Sequence, residues 1–429
     1  MRRRKEVVMV LEQVFECPRT LRRLRSDPLG KLLEGFCNWL LEHGFSRGAI
    51  RKHLFSVSHL NEHLGGPRGR PHQGVSLREV EGFFKAYPLQ CPNRRALGGH
   101  LRRVGYSVNR FLHCLRESGY LDSSRRPEIY QPLLDAYLQW MRHYQHASEG
   151  TLELRSHSTT QFLQWLGPEA TPEGLIRLTA ERIEKFFLRY AQNMGRSARH
   201  SMQSALRSFL RFCLHQGYIE RSLDLAVPTL RTYKLATVPR GLNDTEAQQV
   251  LRCIHRNSHA GRRDYAIVQL LYTYGVRGGQ LRALRLEDID WVKNQILFKA
   301  SKHGKDSRLP LTAEVGESLL DYLQHARPSY PYPHVFLTCR APYHPLTDSN
   351  SLSAIVERHL RAAGIEFSSK GSHVFRHCFA TRMLHHGHSL KAIADVLGHR
   401  HLGTTFLYTK VDFNALKQVA LEWPQEVSP

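Results

Sequence analysis

The first half of this chain repeats itself. FCNWLLEHGFSRGAIRKHLFSVSHLNEHLG at residues 36–65 lines up with YLQWMRHYQHASEGTLELRSHSTTQFLQWLG at 137–167. Trp39 falls against Trp140, and Leu64 and Gly65 fall against Leu166 and Gly167. Further on, SLREVEGFF (76–84) matches TAERIEKFF (179–187), and RFLHCLRESGYL (110–121) matches SFLRFCLHQGYI (208–219). Matched blocks in one order, at a period near one hundred residues, constrain the fold to two copies of one unit. Each copy reads as roughly four helices, because apolar residues recur at three and four, as in Phe209, Phe212 and Cys213. Ser76 with Glu79 forms a capping box, Thr179 keeps the cap alone, and Gly119 and Gly217 fit C-terminal caps. The aromatic stripes read as core. Cations beside small residues in SRGAIRKH (46–53), PNRRALGGHLRRVGYSVNR (92–110) and GRSARHSMQSALR (195–207) can follow a phosphate backbone. For any one of them, a solvated helix face is the competing reading.

What such a chain binds is narrowed by charge. Lys and Arg number 61 against 38 Asp and Glu, a formal net charge of +23 over 429 residues. That excess points to a polyanion, either nucleic acid or an anionic membrane surface. The longest apolar run, near residues 266–274, is far shorter than the ~20 residues of a spanning helix. The opening MRRRKEVVMVLEQVF mimics a signal peptide, but Glu6 and Glu12 flank a short apolar stretch and no small-residue cleavage site follows. It is expected to be an ordinary helix with a basic start. Eight scattered cysteines without a CxxC pair imply reduced thiols and a cytoplasmic protein. Cys378, His385, His386 and His388 lack the paired spacing of a metal site, and a polar helix end running into a Gly387 cap is the plainer reading.

The boundaries expected are a first helical domain at 1–125, a second at 126–225, a linker at 226–241 and a further domain at 242–429. The stretch ERSLDLAVPTLRTYKLATVPRG (220–241) has two prolines and little periodicity, as a linker against DNA would. Asn243 and Glu246 open a new helix. Segments 295–300 and 307–312 alternate around the HGKD turn (303–306), which predicts a β-hairpin, and helices dominate the rest. The fold class expected is mainly α, with helical N-terminal DNA-binding domains followed by an α+β domain holding a small antiparallel sheet.

That last domain carries an ordered set of reactive residue types. Arg277 stands in YGVRGGQLRALRLEDID (274–290) and Lys302 in ILFKASKHGKDSRLPLT (296–312). His373, Arg376 and His377 stand in HVFRHCFATRML (373–384), while His399 and Tyr408 stand in LGHRHLGTTFLY (397–408). A tyrosine, two arginines, a lysine and two histidines suffice to cut and rejoin a phosphodiester without metal. Tyr408 can attack the phosphate, while the planar guanidiniums of Arg277 and Arg376 clamp the phosphoryl oxygens that gain charge. The bond energy stays in the phosphotyrosine, so rejoining needs no nucleotide cofactor. Taken singly, each residue has another reading: Arg277 as an ion-pair partner of Asp288 or Asp290, Lys299 or Lys305 in place of Lys302, and His377 as a structural neighbour of the arginine.

In order and spacing, residues from about 240 to 415 resemble the catalytic domain of the tyrosine recombinase (phage integrase) family. Residues 137–219 resemble the helical core-binding domain that precedes it, and the first copy looks like an extra domain of that type. The resemblance implies a DNA strand transferase acting through a 3′-phosphotyrosine, encoded by a mobile element for its integration, excision or transposition. It makes Lys302 the general acid, His373 an acid/base partner of the tyrosine and His399 a phosphate hydrogen-bond donor. Cofactors are expected to be none, and the partners double-stranded DNA and sister subunits in a homo- or hetero-tetramer on two sites. Other readings are a type IB topoisomerase-like nicking-closing enzyme, a non-catalytic DNA-binding regulator of the same fold, and a metal-binding His-rich protein. This chain departs from the family at Gln280, where an acidic residue is usual, and at Phe375, where leucine is usual. After Tyr408, Val411, Leu416, Val419, Ala420 and Trp423 recur at helical spacing, a stripe that must bury on its own domain or on a neighbouring subunit.

Overall fold

The computed structural model describes residues 10–26, 28–65, 75–90, 97–122, 128–230, 241–300, 306–346, 349–366 and 371–398. The chain divides into two compact units. One takes Met1–Pro67, Arg102–Cys114 and Lys234–Pro429, the other Arg68–Leu101 and Leu115–Tyr233. Most of the helix expected at the N-terminal end, residues 1–9, lies outside the described residues, which begin with a 3-10 turn, Val10–Gln13.

The first copy holds α1 (Pro18–Leu24), α2 (Gly30–Glu42), α3 (Arg47–Leu64), α4 (Leu77–Gln90) and α5 (Leu97–Glu117). Two-residue strands, β1 (Val75–Ser76) and β2 (Leu121–Asp122), pair in parallel. In the second copy stand α6 (Gln131–Tyr144), α7 (Glu149–Leu166), α8 (Pro172–Leu175), α9 (Ala180–Gln192) and α10 (Arg196–His215). Helices α2 to α5 run 13, 18, 14 and 21 residues, and their counterparts α6, α7, α9 and α10 run 14, 18, 13 and 20. The same rings pack in each copy. Phe36 meets Phe111 edge-on at 5.2 Å, and Tyr137 meets Phe209 edge-on at 5.3 Å. Trp39 lies 6.3 Å from Phe36 and Trp140 6.5 Å from Tyr137, both at 22°. Both last helices end alike: Tyr120 N–H donates to Leu115 O at 2.8 Å and Tyr218 N–H to Cys213 O at 2.9 Å, over Gly119 and Gly217. Matched lengths, rings and caps are what a duplicated sequence produces when its apolar pattern is kept. These rings are buried, Trp140 only partly, as the aromatic stripes predict. Ser76 and Glu79 make the expected reciprocal box, and Thr179 caps α9 through Arg182 N–H.

The C-terminal helices are α11 (Asp244–Arg252), α12 (His259–Tyr274), α13 (Gly278–Ala283), α14 (Ala313–His325), α15 (Ser349–Ala362), α16 (His373–His385) and α17 (Leu390–Leu397). Asn243 and Glu246 complete the capping box on α11. Helix α12 is buried along most of its length and packs against α14 and α16, which makes it the central post of this core. Strands β3 (Ile289–Asp290), β4 (Gln295–Phe298) and β5 (Ser307–Pro310) form an antiparallel sheet in that order. Ile296 pairs with both Ile289 and Leu309. The hairpin of β4 and β5 is the one expected from alternation. β3 escapes a sequence reading because two residues show no period. Among the described residues, no helix is long and apolar enough to cross a membrane.

One buried charge cluster makes the stability of this domain depend on pH. Asp264 on α12 is 1% exposed, and its carboxylate accepts from Arg263 at 2.9 and 3.0 Å, from Arg358 and from His359 at 2.9 Å. Burial works to raise its pKa, but the His359 hydrogen bond and the Arg263 and Arg358 charges outweigh it and hold the carboxyl below its usual range. A depressed native pKa means that this stability is fully present above the unfolded value, about 3.9, and is lost as pH falls through the native one. Asp264→Asn leaves Arg263 buried without its counter-charge and is expected to cost about 3–5 kcal/mol at neutral pH. Urea midpoints of the two proteins should converge as Asp264 itself becomes protonated. A constant gap down to strongly acid pH would refute the electrostatic account.

Candidate active site

Two arginines and one helix end make the site. Helix α12 stops at Gly275, whose left-handed conformation (φ 58°) lets its N–H return to Leu271 O. A Cβ at Gly275 would sit 2.8 Å from the Phe379 ring, so α16 also needs a glycine there. Two residues on, Arg277 is extended and precedes α13. Its Nη2 donates to Gly398 O at 2.9 Å. Arg376, on the first turn of α16, is 4% exposed; its Nη1 donates to Gly275 O at 2.9 Å and its Nη2 to Leu397 O at 2.5 Å. Both guanidiniums therefore reach the last carbonyls of α17, which the helix cannot satisfy itself and where its dipole is negative. Gly398 closes α17 in the left-handed conformation, and its Cβ position lies only 3.6 Å from Arg277 Nη1. The Gly of Y-G-V-R and the Leu-Gly of L-G-H thus act through their backbone oxygens. Sequence reasoning missed this role, since carbonyls carry no side-chain signal.

His373 opens α16 and is exposed. Partial desolvation of its ring, then the charges of Arg376 and Arg277, lower its pKa. His377, one turn on, is more enclosed; burial first, and then His373 and Arg376, push it down to about 4. It packs beside Gly241, whose Cβ would come within 2.9 Å of the histidine Cβ. That placement fits the structural reading of His377. Phe375 is fully buried in the core, so the departure from leucine there is a packing change.

The basic residues with alternative readings have these partners where they are described. Asp288 pairs with Lys299 at 2.8 Å and Asp290 with Lys293 at 3.8 Å, while the Arg277 guanidinium turns to Gly398. The Asp288 hydrogen bond raises the Lys299 pKa, the wrong direction for a lysine that must give up a proton. Lys302, Lys305, His399 and Tyr408 lie outside the described residues, as does the C-terminal stripe.

Residues 240–415 match the phage integrase family. A protein described as an integrase/recombinase, y4rA of Sinorhizobium fredii, is 31% identical over 411 residues, covering 95% of this chain and 97% of that one. This chain belongs to the phage integrase family. Tyrosine recombinase XerA of Pyrococcus furiosus is 28% identical over 282 residues, 62% of this integrase-family chain and 93% of XerA. Among solved structures, XerH bound to palindromic difH substrate in a post-cleavage complex superposes with a TM-score of 0.50 at 18% identity, over 70% of this chain and 99% of that one. A lambda integrase dimer bound to a COC′ core site gives 0.50 at 18%, over 69% and 80%. These likenesses establish the integrase fold, mainly helical with a small antiparallel sheet.

Proposed function

We propose that this integrase-family chain is a site-specific DNA recombinase that cuts and rejoins strands through a phosphotyrosine on Tyr408. The observation that carries it is the convergence of Arg277 and Arg376 on adjacent carbonyls, Gly398 O and Leu397 O, just ahead of His399. Two planar donors held at one point can share the charge that builds on a phosphate during attack. In the reaction the Tyr408 oxygen bonds to phosphorus, the bond to the 5′-oxygen breaks, and Lys302 gives that oxygen its proton. His373, whose neutral form is favoured by partial desolvation and by the Arg376 and Arg277 charges, can take the tyrosine's proton. His399 donates to the phosphate. Rejoining runs the same steps backwards.

The net charge of +23 and the basic helix faces of both copies support double-stranded DNA as partner. The domain scheme is a first helical domain at 1–125 for DNA binding or protein interaction, a helical core-binding domain at 126–225, a linker at 226–241 and a catalytic domain at 242–429. Four subunits on two DNA sites are the working assembly. The test uses a nicked DNA substrate in excess chelator. A covalent protein–DNA adduct is expected at the untreated rate, because arginines and lysine supply the positive charge that a nuclease takes from metal ions. Adduct formation that stops in EDTA and returns with Mg²⁺ would sink the assignment. Strand exchange between two duplexes separates a recombinase from a nicking-closing enzyme.

A further inference from the structure

We propose that Gln280 is a positioning residue for the leaving-group step, tying the backbone of Arg277 to the strand end that leads to Lys302. The proposal rests on the reading of Lys302 as general acid. Gln280 is the third residue of α13 and 7% exposed. Its Oε1 accepts from Arg277 N–H at 3.2 Å, and its Nε2 donates to Lys299 O at 3.3 Å. Lys299 directly follows β4, and Lys302 comes three residues later in sequence. The base of that hairpin is held by further bonds. Phe298 pairs with Ser307, Ala300 N–H donates to Asp306 Oδ1 at 2.7 Å, and Lys299 Nζ is bound to Asp288 and Glu287. Gln280 adds a link from this base to the backbone of a phosphate-clamping arginine.

The two partners fix what the side chain must be. A backbone N–H can only donate and a backbone carbonyl can only accept, so position 280 needs an acceptor and a donor together. An amide supplies both, whereas the carboxylate usual in the family supplies acceptors alone. A glutamate could keep the bond from Arg277 N–H, but would set oxygen against oxygen at Lys299. The neutral residue is therefore suited to this hairpin base, and holding the end of β4, from which the chain runs on to Lys302, in register with the arginine is its effect. A general acid depends on such placement within hydrogen-bond reach.

Leaving-group chemistry provides the test. Single-turnover cleavage is measured on nicked DNA with the natural scissile phosphate and with a 5′-bridging phosphorothiolate. In the second, the P–S bond breaks and a thiolate leaves that needs no proton donor. Lys302→Ala is the control: slow on the oxygen substrate and restored on the sulfur one. Gln280→Glu should be about tenfold slower on oxygen, the worth of one hydrogen bond, and close to wild type on sulfur. If its defect is equal on both substrates, or if it cleaves the oxygen substrate normally, Gln280 does not act through the lysine. A Lys302→Ala enzyme that sulfur does not restore removes the general-acid reading, and this proposal with it, which distinguishes the two failures. Should the buried carboxylate prevent folding, Gln280→Met loses both bonds, and the sulfur substrate should recover the lysine share of its defect; no recovery would overturn the proposal.

Discussion

Tyr408→Phe should bind a half-site as tightly as the natural protein and form no covalent adduct at all. The substitution removes one oxygen, and with it the atom that would join to phosphorus, while the ring stays. Three other tyrosines of the same domain, Tyr274 and Tyr322 buried and Tyr272 half-buried, have their hydroxyls engaged elsewhere. Tyr274 donates to Pro310 O at 2.7 Å, Tyr272 to Asp244 at 2.9 Å, and Tyr322 lies in the core and accepts from Leu337 N–H at 3.2 Å. Burial raises the pKa of all three, that of Tyr322 to about 12, so each holds its proton more firmly than a free tyrosine. Native gel shift and denaturing gel together report binding and adduct. A 3′-linked adduct on the Phe variant would mean that another tyrosine is the nucleophile and that the spacing from Leu-Gly-His was misread.

Much of this architecture is legible in residue order because periodicity and capping are local. The helices of both copies, the Asn243 box and the β4–β5 hairpin follow from neighbours three or four positions apart, or two apart in the strands. The motif arginines and histidines are legible for a different reason: their types are chemically uncommon in that combination. What stays hidden is whatever depends on distant backbone. Nothing in the string LGH says that Leu397 O and Gly398 O receive Arg376 and Arg277 across 21 and 121 residues. The Asp264 cluster is hidden in the same way, since Arg358 and His359 come from another helix. Gln280 is intermediate. Its departure from an acidic residue is visible in sequence, but the donor bond to Lys299 that gives the amide its use is visible only in the fold.

Arg376→Lys is the sharpest test of that hidden geometry, because it keeps the charge and changes the shape. The guanidinium of Arg376 spans two carbonyls, Gly275 O and Leu397 O, with separate nitrogens from a buried position. A lysine ammonium is a single point on a flexible stem and cannot hold both oxygens while facing a phosphate. The cleavage rate should fall by about 10²–10³, the loss typical of removing one fixed donor from a developing oxyanion. Stability should fall too, since each stranded buried carbonyl costs about 1–3 kcal/mol. Arg277→Lys separates the two effects. Arg277 is only partly buried, so its replacement should cost a similar factor in rate with a smaller drop in melting temperature. Should Arg376→Lys cleave within about tenfold of wild type, charge alone would suffice, and the fork between α12 and α17 would be structural.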